Sequence, residues 1–136
     1  MDCMIRNLAH ICFVVRDLDA SIAFYCQKLG LKLAFDANND AGQRIGVYIH
    51  VGGHNFIELF QGEVVAAAGK ISYQHFCLEV DDLAGTVAAM RTHGVEVSDP
   101  KTGRDRSLQA WLADPDGNRI ELHQYTPESK QLPSLV

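Results

Sequence analysis

The chain carries an internal repeat, and this feature limits the possible folds more than any other. His10–Ala23 (HICFVVRDLDASIA) matches His75–Ala88 (HFCLEVDDLAGTVA) at six of 14 positions, with an offset of 65. Further on, Asn55–Leu59 (NFIEL) matches Asn118–Leu122 (NRIEL) at four of five positions, with an offset of 63. Because self-similarity at a nearly constant offset marks duplicated structural units, we expect two copies of one module within the 136 residues.

Each copy has the pattern of a β-α-β-β-β module. A stretch rich in β-forming residues precedes an aspartate that suits a helix N-cap, and a glycine follows the helical stretch where a stop is needed. We therefore predict an α+β fold of two tandem βαβββ modules, at about 5–61 and 73–125, with a linker at 62–72 and a tail at 126–136. The predicted strands are Leu8–Val15, Leu31–Asp36, Ile45–Val51, Asn55–Phe60, Gln74–Val80, Val95–Ser98, Leu108–Ala113 and Arg119–Tyr125; the helices run from Asp17 to about Leu29 and from Asp82 to about His93, and the hairpin turns lie at Gly52-Gly53 and Asp114–Gly117.

The composition excludes several classes of function. The net charge is −5 and the sequence contains no lysine and arginine run, so nucleic acid is not an expected partner. No apolar stretch reaches the roughly 20 residues that a membrane span needs. The first residues lack the apolar core of a signal peptide, and the four cysteines form no disulfide framework. A cytoplasmic location is therefore expected.

Four residues at equivalent positions of the repeat are candidate ligands of a metal ion. His10 and His75 lie in the first strand of each copy, whereas Glu58 and Glu121 lie in the last. Each glutamate is flanked by aliphatic residues that suit the opposite, core-facing side of a strand, because side chains alternate along it. Two imidazoles and two carboxylates suit a divalent metal ion. For each residue taken alone an alternative stays open, a core histidine or a solvated glutamate.

Further candidates share a strand face with these four residues or match between the copies. Cys12 and Cys77 are interpreted as small buried residues, with metal binding or nucleophilic chemistry as the alternative. Arg104 and Arg106 are solvated loop charges or groups that close over a substrate carboxylate. The candidates for a substrate pocket are Tyr48, Phe56, Phe60, Glu79, Gln109, Trp111, Arg119 and His123, with core packing as an equal alternative for Tyr48 and Trp111.

Four motifs span nearly the whole chain, from about Ile5 to Tyr125. They are H-x7-L-x3-I-x-F-Y from His10, F-I-E-L around Glu58, H-x-C-L-x-V-D-D-L from His75, and D-P-D-G-N-x-I-E-L ending at Leu122. Together they resemble the vicinal oxygen chelate superfamily, and within it the glyoxalase I group.

The resemblance implies a fold, a metal centre and an assembly. In that family, paired βαβββ modules enclose a cupped, metal-centred cavity for a small molecule. The matching positions, His10, Glu58, His75 and Glu121, would hold one divalent metal per site. The metal would be Ni, Co, Zn, Mn or Fe, with Ni or Co favoured because short chains of this kind resemble the bacterial forms. Single-chain members of this size usually form homodimers that share their cavities.

The resemblance also implies a reaction. A metal-dependent lyase or isomerase would move a proton on a small vicinal hydroxy-carbonyl substrate through a metal-bound enediolate. Glu121 and Glu58 would be the catalytic groups that carry the proton. However, Val14 and Gly62 stand where glutathione-dependent members carry an arginine and an asparagine, so a standard glutathione adduct is not the expected substrate.

Two other functions of this superfamily stay open. One is a non-catalytic binding protein of the bleomycin-resistance type, which sequesters a drug without a metal of its own. The other is an Fe(II) extradiol-type dioxygenase, whose ligands would match His10, His75 and Glu121. Glu58 argues against the dioxygenase, because a fourth, anionic ligand would occupy a position that oxygen chemistry needs open.

Overall fold

The computed structural model describes residues 3–65 and 71–134, and the chain forms two compact units, residues 1–66 and 67–136. Five residues of the predicted linker, 66–70, and the last two residues of the predicted tail lie outside the described residues. Within the described ranges, no helix combines the length and the apolar character needed to cross a membrane.

The first unit contains a four-stranded mixed sheet. Its strands are β1 (His10–Val15), β2 (Lys32–Asn38), β3 (Arg44–Gly52) and β4 (Asn55–Gln61). Their spatial order is β1-β4-β3-β2, with β1 parallel to β4 and the other pairs antiparallel. The first strand of the module therefore lies beside its last strand, which brings distant residues of the sequence together.

A helix connects β1 to β2, as the sequence predicts. Its α-helical part, α1 (Leu18–Ile22), continues as a π-helical turn, Ala23–Lys28. The Asp17 side chain accepts a hydrogen bond from the Ala20 amide at 3.1 Å and so caps the start. Gly30 follows the helix with φ +78°, a left-handed conformation that favours glycine and ends the helix.

The second unit repeats this architecture with shorter elements. The elements are β5 (Phe76–Glu79), α2 (Leu83–Thr92), β6 (Lys101–Thr102), β7 (Leu108–Ala113), β8 (Arg119–Gln124) and a terminal turn of helix, α3 (Gln131–Ser134). The sheet has the order β5-β8-β7-β6, again with the first and last strands parallel. The helix α2 is capped by Asp82, whose carboxylate accepts a hydrogen bond from the Gly85 amide. The predicted α+β fold of two βαβββ modules is confirmed.

Each unit buries the aliphatic face of its last strand. Ile57 and Leu59 of β4, and Ile120 and Leu122 of β8, are almost fully buried. Because side chains alternate along a strand, Glu58 of β4 and Glu121 of β8 point to the opposite side of each sheet. The apolar core and the candidate site therefore occupy opposite faces.

The prediction of a strand at Val95–Ser98 is wrong. The chain there is irregular, and the second strand of the module is the two-residue β6. Ser98 does bond to β7, since its amide donates to the Trp111 carbonyl at 2.9 Å. The Trp111 amide, however, donates to the Ser98 hydroxyl at 2.8 Å instead of a backbone carbonyl. A side-chain acceptor thus replaces one bond of the expected ladder.

Several strand boundaries differ by one or more residues from the sequence prediction, and two of these differences affect the candidate site or the hairpin turn. β5 begins at Phe76, so His75 lies immediately before the strand and not within it. In the first hairpin Gly52 pairs with Asn55, which makes Gly53 and His54 the turn residues. Gly53 has φ +49°, which explains why glycine occupies this position.

Candidate functional site

His10 and Glu58 form a close pair in the first unit. β1 and β4 are parallel neighbours, with His10 opposite Phe56 and Cys12 opposite Glu58. The His10 Nε2 lies 2.8 Å from Glu58 Oε2, and the two side chains are 53% and 10% exposed. A carboxylate this buried needs a partner. The imidazole supplies it while remaining open to solvent on its other side.

Tyr48 is the second partner of Glu58. The two residues lie opposite each other on β3 and β4, and the Tyr48 phenol donates a hydrogen bond to the Glu58 carboxylate. Desolvation raises the pKa of Tyr48 above its usual 10, and the negative charge of Glu58 raises it further. The ring stacks on Phe35 at 4.3 Å and meets Phe60 edge-on at 6.4 Å. Tyr48 therefore belongs to the site through its hydroxyl group and to an aromatic cluster through its ring.

The second unit contains the equivalent pair. His75 Nε2 lies 3.3 Å from Glu121 Oε1, with side chains 32% and 13% exposed. Trp111 is opposite Glu121 on β7, as Tyr48 is opposite Glu58. The Trp111 ring meets the His75 ring edge-on at 4.6 Å, and the Arg119 guanidinium carbon lies 4.5 Å from its centre. An aromatic residue at the equivalent strand position thus contacts each His–Glu pair, Tyr48 through the glutamate and Trp111 through the histidine.

The other oxygen of Glu121 has two further partners. His123 Nδ1 lies 2.9 Å from Glu121 Oε2, and the Cys77 thiol donates to the same oxygen at 3.5 Å. Partial desolvation by the neighbouring side chains, followed by the charge of Glu121, raises the pKa of Cys77 to about 12, so Cys77 is a neutral thiol at physiological pH. Cys77, Glu121 and His123 offer three ligand atoms within 4.8 Å of one another, which makes them a candidate metal-binding triad.

The remaining pocket candidates are Phe56, Gln109 and Glu79, and each lies beside another residue of its sheet. Phe56 packs beside His50, with ring centres 5.3 Å apart. Gln109 is opposite His123 on the neighbouring strand, and its side-chain oxygen lies close to the Gly103 backbone. Glu79 is exposed at the end of β5, on the other side of His123.

The expectation that Cys12 and Cys77 are buried is wrong. Both are exposed, since they project from the face of each sheet that bears the glutamates and not from the core face. The sequence position of each cysteine, two residues beyond a candidate histidine ligand, was the available signal, because residues i and i+2 of an extended chain share a face.

Asp105 is a residue of the site that the sequence pattern does not single out. The sequence candidates on either side of it, Arg104 and Arg106, are exposed. The Asp105 carboxylate lies 3.9 Å from His123 Nε2, and it accepts hydrogen bonds from the Gln131 side chain and the Ser107 amide. These donors lower the pKa of Asp105, so the group is ionised beside the histidine.

The family model of the glyoxalase/bleomycin resistance protein/dioxygenase superfamily matches residues 7–122 of this chain. The chain therefore belongs to that superfamily. It is 31% identical over 137 aligned positions to the probable chloroplastic lactoylglutathione lyase of Arabidopsis thaliana, with 93% of the chain and 38% of that protein covered. The chain thus spans well under half the length of that relative.

Two other similar proteins have names that indicate different functions. The chain is 30% identical to the metallothiol transferase FosB of Staphylococcus epidermidis, with 90% of the chain and 84% of that protein covered. Among solved structures, the antibiotic-binding protein TnmS3 of Streptomyces sp. CB03234 has a TM-score of 0.74 at 25% identity, covering 92% of this chain and all of that one.

Proposed function

We propose that this protein is a divalent-metal-dependent, glyoxalase-like lyase or isomerase that moves a proton between adjacent carbons of a small hydroxy-carbonyl substrate. The observation that carries the proposal is the pair of equivalent His–Glu contacts, 2.8 Å between His10 and Glu58 and 3.3 Å between His75 and Glu121. A duplicated fold that keeps a histidine and a glutamate in contact in both copies is best explained by a ligand common to both pairs.

The donor atoms of the two pairs suit a divalent ion of the first transition series. Each pair offers an imidazole nitrogen and a carboxylate oxygen, the ligands that Ni, Co, Zn, Mn and Fe accept. In our proposal His10, Glu58, His75 and Glu121 hold one ion per site, with Ni or Co preferred. When bound, the ion supplies Lewis-acid polarisation of the substrate carbonyl.

The surroundings of the two glutamates suit proton transfer. His123 and Cys77 hold Oε2 of Glu121 and so fix the orientation of the carboxylate. Glu121 would take the proton from the carbon next to the carbonyl and return it to the neighbouring carbon. Glu58 is held in the same manner by the Tyr48 hydroxyl group and would serve the other side of the substrate.

The substrate we propose is not a standard glutathione adduct. Val14 and Gly62 replace the two groups that would bind glutathione, and the structure places them against each other. A Cβ atom added to Gly62 would lie 2.8 Å from Cγ1 of Val14, closer than real Cβ contacts allow. An asparagine at position 62 therefore requires the Val14 side chain to shift, so the two departures lie in contact.

We also propose a homodimer in the cytoplasm. The four cysteines are free, which suits a reducing compartment. Light scattering coupled to size-exclusion chromatography tests the assembly directly. A monomer at micromolar concentration would contradict this part of the proposal.

Hydrogen exchange on a model substrate tests the activity. Metal-loaded protein in D2O should catalyse deuterium incorporation into dihydroxyacetone, observed by proton NMR. Glu121→Gln should keep the fold and lose the exchange, whereas Glu96→Gln, which changes an exposed carboxylate beyond α2, should keep both. Full exchange in Glu121→Gln would remove this residue from the mechanism. Purified protein without a divalent metal, and with no thermal shift on adding one, would contradict metal dependence.

A binding function is the second candidate, favoured by the similarity to the antibiotic-binding protein. If the protein only sequesters a small molecule, a metal-stripped sample should bind that molecule as tightly as the metal-loaded one. Glu58→Ala gives an independent test against a dioxygenase, which would keep its activity without this carboxylate.

A further inference from the structure

We propose that the second unit carries a separate cation position, formed by Cys77, Glu121 and His123, that binds a thiolate-accepting divalent ion such as Zn²⁺ or Co²⁺. The inference shares Glu121 with the proposed function. It does not require His10, Glu58 or His75 as ligands.

The distances between the donor atoms are close to those that a tetrahedral ion imposes. With metal–sulfur bonds of about 2.3 Å and metal–nitrogen or –oxygen bonds of about 2.05 Å, a tetrahedral site separates sulfur from oxygen by about 3.6 Å and nitrogen from oxygen by about 3.4 Å. The Cys77 Sγ to Glu121 Oε2 distance is 3.5 Å, and the His123 Nδ1 to Glu121 Oε2 distance is 2.9 Å. The His123–Glu121 contact has to open by about half an ångström. The third pair, Cys77 and His123, has its ligand atoms within 4.8 Å of each other, so this pair closes to about 3.6 Å when the ion binds.

The environment of His123 is that of a metal ligand with a supporting carboxylate. The residue is 6% exposed, and among the described residues its Nε2 has no hydrogen-bond partner. Both ring nitrogens face carboxylates, since Nδ1 meets Glu121 at 2.9 Å and Nε2 meets Asp105 at 3.9 Å. With Nδ1 bound to an ion, the ring proton sits on Nε2 and points at Asp105. Metal-bound histidines commonly have a carboxylate in this position.

The first unit provides an internal comparison. Cys12 and Glu58 occupy the positions equivalent to Cys77 and Glu121, but Phe60 stands in place of His123. The phenyl ring offers no ligand atom and meets Tyr48 edge-on. The three-donor set is therefore complete in the second unit only, and a repeat-wide packing requirement does not explain the histidine.

Ion binding has a simple proton balance. Cys77 is a neutral thiol that donates its proton toward Glu121. The ion replaces that proton on sulfur, and one proton leaves to solvent for each ion bound. Cysteine, glutamate and histidine leave a fourth tetrahedral position for water.

Cobalt spectroscopy tests the inference without any measurement of activity. Co²⁺ is added to the full-length, metal-stripped, reduced protein, and the near-ultraviolet charge-transfer band of a thiolate–Co²⁺ bond is recorded. We expect this band in the original protein, in His75→Ala and in Cys12→Ser, the matched control from the first unit. Cys77→Ser and Cys77→Ala should lack it. Asp105→Asn should bind Co²⁺ about tenfold more weakly, because the carboxylate behind His123 is lost.

Three results would overturn the inference. They are no band in the original protein at saturating Co²⁺ with Cys77 shown to be reduced, a band that survives in a folded Cys77→Ser variant, or loss of the band in His75→Ala. Circular dichroism verifies the fold of each variant. The inference and the proposed function fail separately, since the band depends on Cys77 whereas deuterium exchange depends on Glu121 together with the His10–Glu58 pair.

Discussion

Replacing Ser129 should show how the segment after β8 stabilises the second unit. Ser129 and Ser107 are both fully buried, and their hydroxyl oxygens are 2.6 Å apart. The Ser129 hydroxyl also accepts a hydrogen bond from the Thr126 amide at 2.8 Å. The contact between Ser129 and Ser107 joins the terminal segment to the loop that contains Asp105. The backbone carbonyl of Asp105 also accepts a hydrogen bond from the Lys130 amide at 2.8 Å.

The expected cost follows from these contacts. Ser129→Ala removes the hydrogen bonds of this hydroxyl group with the Ser107 hydroxyl and the Thr126 amide, worth about 1 kcal/mol each, and a weaker one with the Thr126 hydroxyl at 3.4 Å. It also leaves the Ser107 hydroxyl buried without a partner, so we expect a loss of about 2–3 kcal/mol of unfolding free energy. Ser107→Ala should cost only about 1 kcal/mol, because Ser129 keeps its bond from Thr126. The double variant should cost about 2 kcal/mol, less than the sum, since no orphaned hydroxyl group remains.

Urea denaturation followed by circular dichroism measures the unfolding free energy of all three variants, and a thermal melt measures their Tm. For a chain of 136 residues each kcal/mol corresponds to roughly 4 °C in Tm, so Ser129→Ala should melt about 10 °C lower. The control is Ser72→Ala, which changes an exposed serine and should stay within about 0.5 kcal/mol of the original protein. Additive effects in the double variant, or a cost for Ser129→Ala no larger than that of the control, would refute the reasoning.

Three other predictions concern local features. Asp17→Ala should cost about 1 kcal/mol of unfolding free energy in a urea titration, because the Ala20 amide loses its cap; an unchanged midpoint would contradict this. Gly30→Ala should lower the unfolding free energy by about 1 kcal/mol, or the Tm by roughly 4 °C, through the φ of +78° alone, since an added Cβ meets nothing within 4 Å; an unchanged Tm would contradict this. The pKa of Asp105 is lowered on folding, so its ionised form adds stability above the usual value of 3.8. The difference in unfolding free energy between the original protein and Asp105→Asn should therefore be constant from pH 7 to about 5 and shrink as the pH falls below 4. A difference that grows on acidification would contradict that sign.

Much of the fold could be predicted because its signals are local. The helix bounded by Asp17 and Gly30 depends on a cap and a left-handed turn, which neighbouring residues specify. β7 begins and ends where the sequence predicts, because alternation and the turn after Ala113 set both ends. The strand predicted at Val95–Ser98 is absent because the Trp111 amide donates to the Ser98 side chain instead of a backbone carbonyl. No local sequence pattern specifies that partner.

The candidate site also has one part that the sequence predicted and another that it did not. The repeat alone aligned the four candidate ligands, and strand parity placed Glu58 and Glu121 opposite the aliphatic core residues. The partners of those groups depend on contacts between elements far apart in the chain. Asp105 reaches His123 because the loop before β7 folds back beside β8, and the Glu121 carboxylate meets Cys77 because β5 and β8 are parallel neighbours.

The sequence by itself determined the duplicated βαβββ architecture and the matched histidines and glutamates, since periodicity, caps and internal repeats are properties of neighbouring residues and equivalent positions. Only the tertiary structure decided that the two cysteines are exposed beside the glutamates, that Val14 fills the space beside Gly62, and that Asp105 lies behind His123. The physical reason is that strand pairing and loop closure choose each side chain's neighbours, and those neighbours set its burial, its hydrogen bonds and its chemistry.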